Sequence, residues 1–248
     1  MAAAMVTALL FAGIPCLFAL RSRVRLKTGF RLHVPPAVSF LAAVLLGVSL
    51  WPFAHELFLA NRLLGMELLD SESMARAGVL LKAWQTIPVW WIVLTLGIAA
   101  PVCEEWFFRG YLLASLRGRM PDWQAILIAG LLFGLFHVVT PNVLAIERFL
   151  PSGFLGLVLG WVAVRCGSVL PSMLLHAVHN SLLLLASYYS EELAGYGWAQ
   201  GDVARLHLPW LWLAIALGVA LAGIALLHRA GSGRSEQTAS SNSYAETA

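Results

Sequence analysis

The sequence predicts an all-α protein, a polytopic transmembrane helical bundle of about seven to eight spans. Three observations carry that expectation. Of the 248 residues, 60% are apolar and only 12% are charged, and the mean hydropathy is +0.79. A soluble domain averages roughly 45–50% apolar and 25% charged. Uncharged runs recur at close to the ~20 residues that a helix needs to cross a hydrocarbon core. The basic residues cluster beside these runs instead of spreading over a soluble surface, which is the pattern of membrane topology. A pI near 9.0 therefore does not point to nucleic acid.

The runs can be taken in order. Met1 to Leu20 has no charge, and Ala37 to Ala54 is a second such run. Ala83 to Cys103 is a third, and Trp123 to Ile146 a fourth, interrupted only by His137. Phe149 to Val164 is a short fifth, and Cys166 to Ser190, with His176 and His179, is a sixth. Leu208 to Leu227 is a seventh. Helices suit all of them, because unpaired backbone groups in lipid cost several kcal/mol each. The alternating pattern of a membrane barrel is absent. Pro101 either kinks the third helix or ends it. If it ends it, residues 101–117 form a separate, partly re-entrant helix and the spans number eight.

The first run lacks the basic stretch that precedes the core of a signal peptide. Positive charge follows it instead, at Arg21, Arg23, Arg25, Lys27 and Arg31. This places residues 21–31 in the cytoplasm and the N-terminus outside. Threading the remaining spans puts eleven of the sixteen Lys and Arg inside, among them Arg109, Arg117, Arg119, Arg165, Arg229 and Arg234. Acids gather outside, at Glu56, Glu67, Asp70, Glu72, Glu147, Glu191, Glu192 and Asp202. The loop from His55 to Lys82 is the longest and has room for a short helix beyond the bilayer. The Ser- and Gly-rich stretch from Gly231 to Ala248 reads as a disordered tail. Trp51, Trp84, Trp90, Trp91, Trp123, Trp210 and Trp212 stand near span ends, as interface anchors do. Gly130 with Gly134, and Gly156 with Gly160, form small-residue faces for close helix contact. Cys16, Cys103 and Cys166 are scattered and odd in number, so no disulfide framework is readable.

Ionisable groups within the spans are few: Glu104, Glu105, Arg109, His137, His176 and His179. Each is costly in hydrocarbon, and such residues by default face the bundle interior. Glu105 and Arg109 are four apart and share a helix face. Glu104 leaves the same helix about 100° away from Glu105. Phe133 and His137 are four apart in FGLFH, and His176 and Asn180 are four apart in HAVHN. Three helices thus each offer polar groups at comparable depth. A carboxylate, two imidazoles and an amide are the means to activate a water and bind an oxyanion. The bland readings stand beside this one. Glu105 with Arg109 can be an ion pair that fixes packing, and His176 with Asn180 an interhelical polar clamp. His179 reads as packing or as a donor to a group beside the site.

Three motifs together carry a resemblance. They are Glu104-Glu105-Trp-Phe-Phe-Arg109, Phe133-Gly-Leu-Phe-His137 and His176-Ala-Val-His-Asn180. The chain resembles the CPBP family, the membrane-embedded CAAX proteases and bacteriocin-processing proteins also called Abi. The resemblance covers Val89 to about Tyr188. It implies a helical bundle with a membrane-embedded active site open to the cytoplasm, and endopeptidase activity on a peptide or protein that is lipidated or membrane-bound. It implies Glu104 as general base, His137 as a holder of the water, and His176 and Asn180 as oxyanion donors. Glu105 and Arg109, with Phe133, would support them. It also admits a divalent metal such as zinc, with Glu104, His137 and His176 as the three ligands such a site needs, although the HExxH pattern is absent. The chain then divides into N-terminal helices and an extracytoplasmic loop (1–82), a CPBP-like core (83–190), a loop and final span (191–230) and the tail (231–248). The implied place is a bacterial plasma membrane, with the C-terminus cytoplasmic. Two other functions use the same pattern: a non-catalytic binding or immunity protein, and a subunit of a transport complex.

Overall fold

Over their described residues the apolar runs are mostly helical in a computed structural model of the chain. The structure describes residues 2–64, 79, 82–139, 146–190, 192 and 207–246, excepting the side chains of 2–8, 62, 63 and 231–246. The helices are α1 (Ala2–Arg21), α2 (Leu26–Gly29), α3 (Ala37–Ser49), α4 (Trp51–Leu63), α5 (Val89–Arg117), α6 (Asp122–Val139), α7 (Phe149–Cys166), α8 (Leu170–Tyr188) and α9 (Trp210–Glu246). No strand occurs among the described residues.

Five helices are long and apolar enough to cross a membrane, and α3 with α4, bent by 41°, makes a sixth. The seven or eight spans expected are not reached by that count. The difference at the N-terminus is one of extent, since only Leu9–Arg21 of α1 enters the count, as a shorter apolar helix. The eight-span alternative fails for a clearer reason. Pro101 does not end its helix, and α5 runs unbroken for 29 residues, roughly 44 Å at the α-helical rise. The acidic loop residues Glu67, Asp70, Glu72, Glu191 and Asp202 lie outside the described residues. The backbone of α9 continues to Glu246 over the expected disordered tail, because extending a formed helix needs no new nucleus.

Contacts sort the connections into two ends. At one end the hydroxyl of Ser168 donates to the carbonyl of His33 (2.6 Å), Arg117 pairs with Asp122, and Arg165 meets His228. At the other, Asn61 Nδ2 donates to the carbonyl of Glu147 (2.7 Å), Tyr188 reaches Ile87, and His207 meets Glu56. The described connections thus alternate between the two ends, an up-and-down threading. Trp90, Trp123 and Trp210 are exposed near span ends, as anchors should be.

Close packing depends on glycine where helices touch. A Cβ on Gly156 of α7 would meet the carbonyl oxygen of Gly130 at 2.9 Å and Cβ of Phe133 at 3.2 Å. A Cβ on Gly134 would meet Cα of Gly153 at 3.0 Å. The expected small-residue faces of α6 and α7 are therefore apposed. α1 closes over α5 through aromatic contacts, Phe11 lying 5.0 Å from Phe107, 5.6 Å from Phe108 and 4.8 Å from Phe136 between ring centroids. Gly156→Ala should lower stability by about 1–3 kcal/mol, the usual range for overpacking a tight contact. Gly153→Ala, where a Cβ meets nothing within 4 Å, should be neutral or slightly stabilising. Thermal melts in detergent check this, and equal midpoints for the two variants would contradict the packing described.

Candidate active site

The first motif sits in an unusual stretch of helix. Its α-helical turn, Ala100–Glu105, is flanked by π-helical segments at Val93–Ala99 and Trp106–Leu113. Such segments are rare and concentrate at functional sites. The first has a local cause. Pro101 removes one N–H donor, and its ring crowds the carbonyl four residues back, that of Gly97, which lies in the π segment. Gly97 also lets α5 approach α8, since a Cβ there would meet Oγ of Ser181 at 2.5 Å.

Glu105 is fully buried. Its Oε1 accepts from Nη1 of Arg109 at 2.6 Å, which is the expected ion pair. The same oxygen lies 3.1 Å from Nδ1 of His176. A carboxylate in an ion pair can only accept, so Nδ1 of His176 carries a hydrogen. Arg109 uses Nη2 on the carbonyl of Gly156 (2.8 Å) and lays its guanidinium 4.6 Å from the centroid of the Phe133 ring. Sequence spacing identified the Glu105–Arg109 pair. It missed His176 and Gly156 as further partners, because both contacts are tertiary.

The second nitrogen of His176, Nε2, lies 3.9 Å from Oε2 of Glu104. That is too long for a hydrogen bond, and one water with two ordinary contacts can bridge it. Oε2 of Glu104 is buried without a hydrogen-bond partner. Phe133, fully buried, joins the other motif: its ring centroid is 4.6 Å from that of His137 and 5.5 Å from that of His176. Nδ1 of His137 is 2.9 Å from the carbonyl of Phe133, so it donates and leaves Nε2 with its lone pair. The structure thus sets His137 and His176 against Phe133, with Glu104 beside His176 and with Glu105 and Arg109 behind that ring. Asn180 stands one turn beyond His176 on α8, half-buried, with no hydrogen bond from its side chain to a described residue. His179 is buried beside Gly47 of α3, and its Nδ1 has no hydrogen-bond partner.

Among the described residues, no three His, Cys, Asp or Glu side chains are grouped to hold a metal ion. Nδ1 of His176 is already turned to Glu105, and Glu104, His137 and His176 do not form one ligand set. Arg148 was not singled out by the sequence. It interacts electrostatically with both Glu104 and His137, from the short 3₁₀ turn Ile146–Arg148. Its neighbour Glu147 is buried, although its place in the chain reads as an outer loop. No spacing signal in the sequence marks either residue.

Residues 86–182 match the family model described as type II CAAX prenyl endopeptidase Rce1-like. This part of the chain is similar to Rce1-like domains. It holds all three motifs and every residue gathered at the site. A relative from Escherichia coli, an uncharacterized 24.3 kDa protein, is 38% identical over 96 residues. The alignment covers 38% of this chain and 42% of that one, so the chain matches less than half the relative's length. No solved structure matches. The similarity to Rce1-like domains, with the apolar helices, identifies the chain as an integral membrane protein. Within residues 86–182, Glu105→Ala should cost about 3–5 kcal/mol of stability, since it leaves Arg109 as an uncompensated buried charge. A detergent melt matching the wild type would show that the pair is not structurally coupled.

Proposed function

We propose that the chain is an intramembrane endopeptidase of the CAAX-protease type, cleaving a peptide bond with a water activated by Glu104. The observation that supports it is the 3.9 Å gap between Nε2 of His176 and the unpartnered Oε2 of Glu104. A water in that gap gives a proton to Glu104 as its oxygen attacks the peptide carbonyl carbon. His137, with Nδ1 turned to the Phe133 carbonyl, helps to hold that water. Negative charge then develops on the carbonyl oxygen. The Asn180 amide donates to that oxyanion, and His176, with its Nδ1–H held on Glu105, donates from Nε2 once that nitrogen has taken a proton from solvent. Collapse of the intermediate breaks the C–N bond, and Glu104 returns its proton to the leaving amine.

Glu105 and Arg109 play a different part in this reading. They hold His176 in orientation and do not meet the substrate. The substrate is a peptide or protein that is lipidated or membrane-bound. The chain lies in a bacterial plasma membrane with its N-terminus outside and its C-terminus cytoplasmic. A non-catalytic binding protein or a transport subunit would cleave nothing, so a cleavage product lost in Glu104→Gln cells separates the first reading from both.

Glu104→Gln keeps the shape and removes the base. It should slow cleavage by about 10²–10⁴-fold while melting like the wild type. Asn180→Ala should slow it by about 10²–10³-fold, the usual loss of one oxyanion donor. A proteomic comparison of wild-type and Glu104→Gln cells supplies the substrate as a missing cleavage product, and purified protein in detergent gives the rates. Cleavage by Glu104→Gln at the wild-type rate would overturn the assignment.

A further inference from the structure

The end of the bundle that holds Arg117 and Ser168 carries positive charge that the proposed reaction does not use. A cleft there is walled by Arg31, Arg109, Arg117, Ala163, Ser168 and Val169. Its volume of about 10 Å³ is the space of one water. Two of the three arginines are answered. Arg117 makes a bidentate pair with Asp122, at 2.6 and 2.9 Å, and Arg109 is paired with Glu105. Arg31 makes no direct salt bridge to a described residue and shares at longer range the attraction of Asp122, which Arg117 already holds. Nε of Arg109 is buried without a hydrogen-bond partner.

Arg31 is also held at a cost. Its φ of 54° is left-handed, a region that residues with a Cβ seldom enter. Burial, and then repulsion from Arg117, depress its guanidinium below the ordinary arginine range. Two hydrogen bonds keep it there. The N–H of Val169 donates to the carbonyl of Arg31 at 3.2 Å, and the hydroxyl of Ser168 donates to the carbonyl of His33 at 2.6 Å. The surroundings favour negative charge. α8 begins beside the cleft at Leu170, and a helix N-terminus carries partial positive charge. The carbonyl of Val164, near the end of α7, is already taken by the N–H of Gly167.

We propose that this cleft is an anion site that admits one oxygen of a phosphate group, either on a lipid headgroup or as free phosphate. The size allows one oxygen to enter while the rest of the group stays at the surface. Guanidinium groups suit phosphate oxygens in both charge and donor geometry. Basic pockets between membrane helices hold anionic headgroups by this chemistry. Arg109 is the shared wall of the cleft and the candidate active site, so occupancy is sensed at the residue that orients Glu105.

The test uses the full chain in a neutral detergent and reads the thermal midpoint. One arm titrates inorganic phosphate at constant ionic strength. The other adds phosphatidylglycerol, with phosphatidylcholine as the uncharged reference. The wild type should show a saturable rise in at least one arm. Saturation with inorganic phosphate identifies a free-phosphate site, and saturation with phosphatidylglycerol alone a headgroup site. Arg31→Asn removes the charge with a residue that tolerates positive φ, and should raise the half-saturating concentration about fivefold or more. Arg31→Gly, free at that φ, replaces it if the Asn variant does not fold. Arg229→Asn, an exposed arginine at the same end, should leave the titration unchanged. The proposal is overturned if neither arm saturates in the wild type, or if the Arg31 variants bind no more weakly than Arg229→Asn does.

Discussion

The buried ion pair between Glu105 and Arg109 is the constraint around which the rest of this bundle is arranged. Two charges leave water only if their remaining hydrogen-bonding capacity is largely met. Here that need recruits three other helices. Arg109 reaches the carbonyl of Gly156 on α7 and faces the Phe133 ring on α6, and Glu105 faces His176 on α8. Gly156 must be glycine for α7 to come this close, since a Cβ would run into Gly130. The satisfaction is incomplete. Oε2 of Glu105 and Nε of Arg109 remain without partners. A pair kept under those terms is poor evidence for stability and better evidence for a job in positioning.

That job explains why two carboxylates stand side by side at the end of an apolar run. They leave the helix about 100° apart, and the structure gives them different surroundings. Glu105 is consumed by Arg109 and by one nitrogen of His176. Glu104 faces the other nitrogen of the same ring and keeps an unpartnered oxygen. One imidazole therefore separates a structural carboxylate from one open to reaction. Phe133 contributes shape instead of chemistry. It is the surface on which His137, His176 and Arg109 all rest.

The sequence made the helical class and most of the site readable for specific reasons. Charge is so scarce in the spans that the residues bearing it name themselves, and four-residue spacing is enough to pair Glu105 with Arg109. The relation of Glu105 to His176 was not readable, because 71 residues separate them and nothing local records the contact. The span count was harder. Pro101 left a kink and a helix end both open; a π segment precedes it in an unbroken helix, and π winding leaves no compositional trace. Arg148 escaped notice because a loop residue reads as solvated charge. Its interaction with Glu104 and His137 depends on how the turn at 146–148 lies across the bundle.

The central claim is that Glu105 fixes His176 so that its other nitrogen faces Glu104. Nitrogen-15 NMR of the full chain labelled at histidine, with His176 assigned by its loss in His176→Gln, tests this most directly. The account predicts a hydrogen on Nδ1 of His176, with that resonance perturbed by Glu105→Gln. A His176 whose Nδ1 carries no hydrogen, or whose resonances ignore the Glu105 substitution, would contradict it.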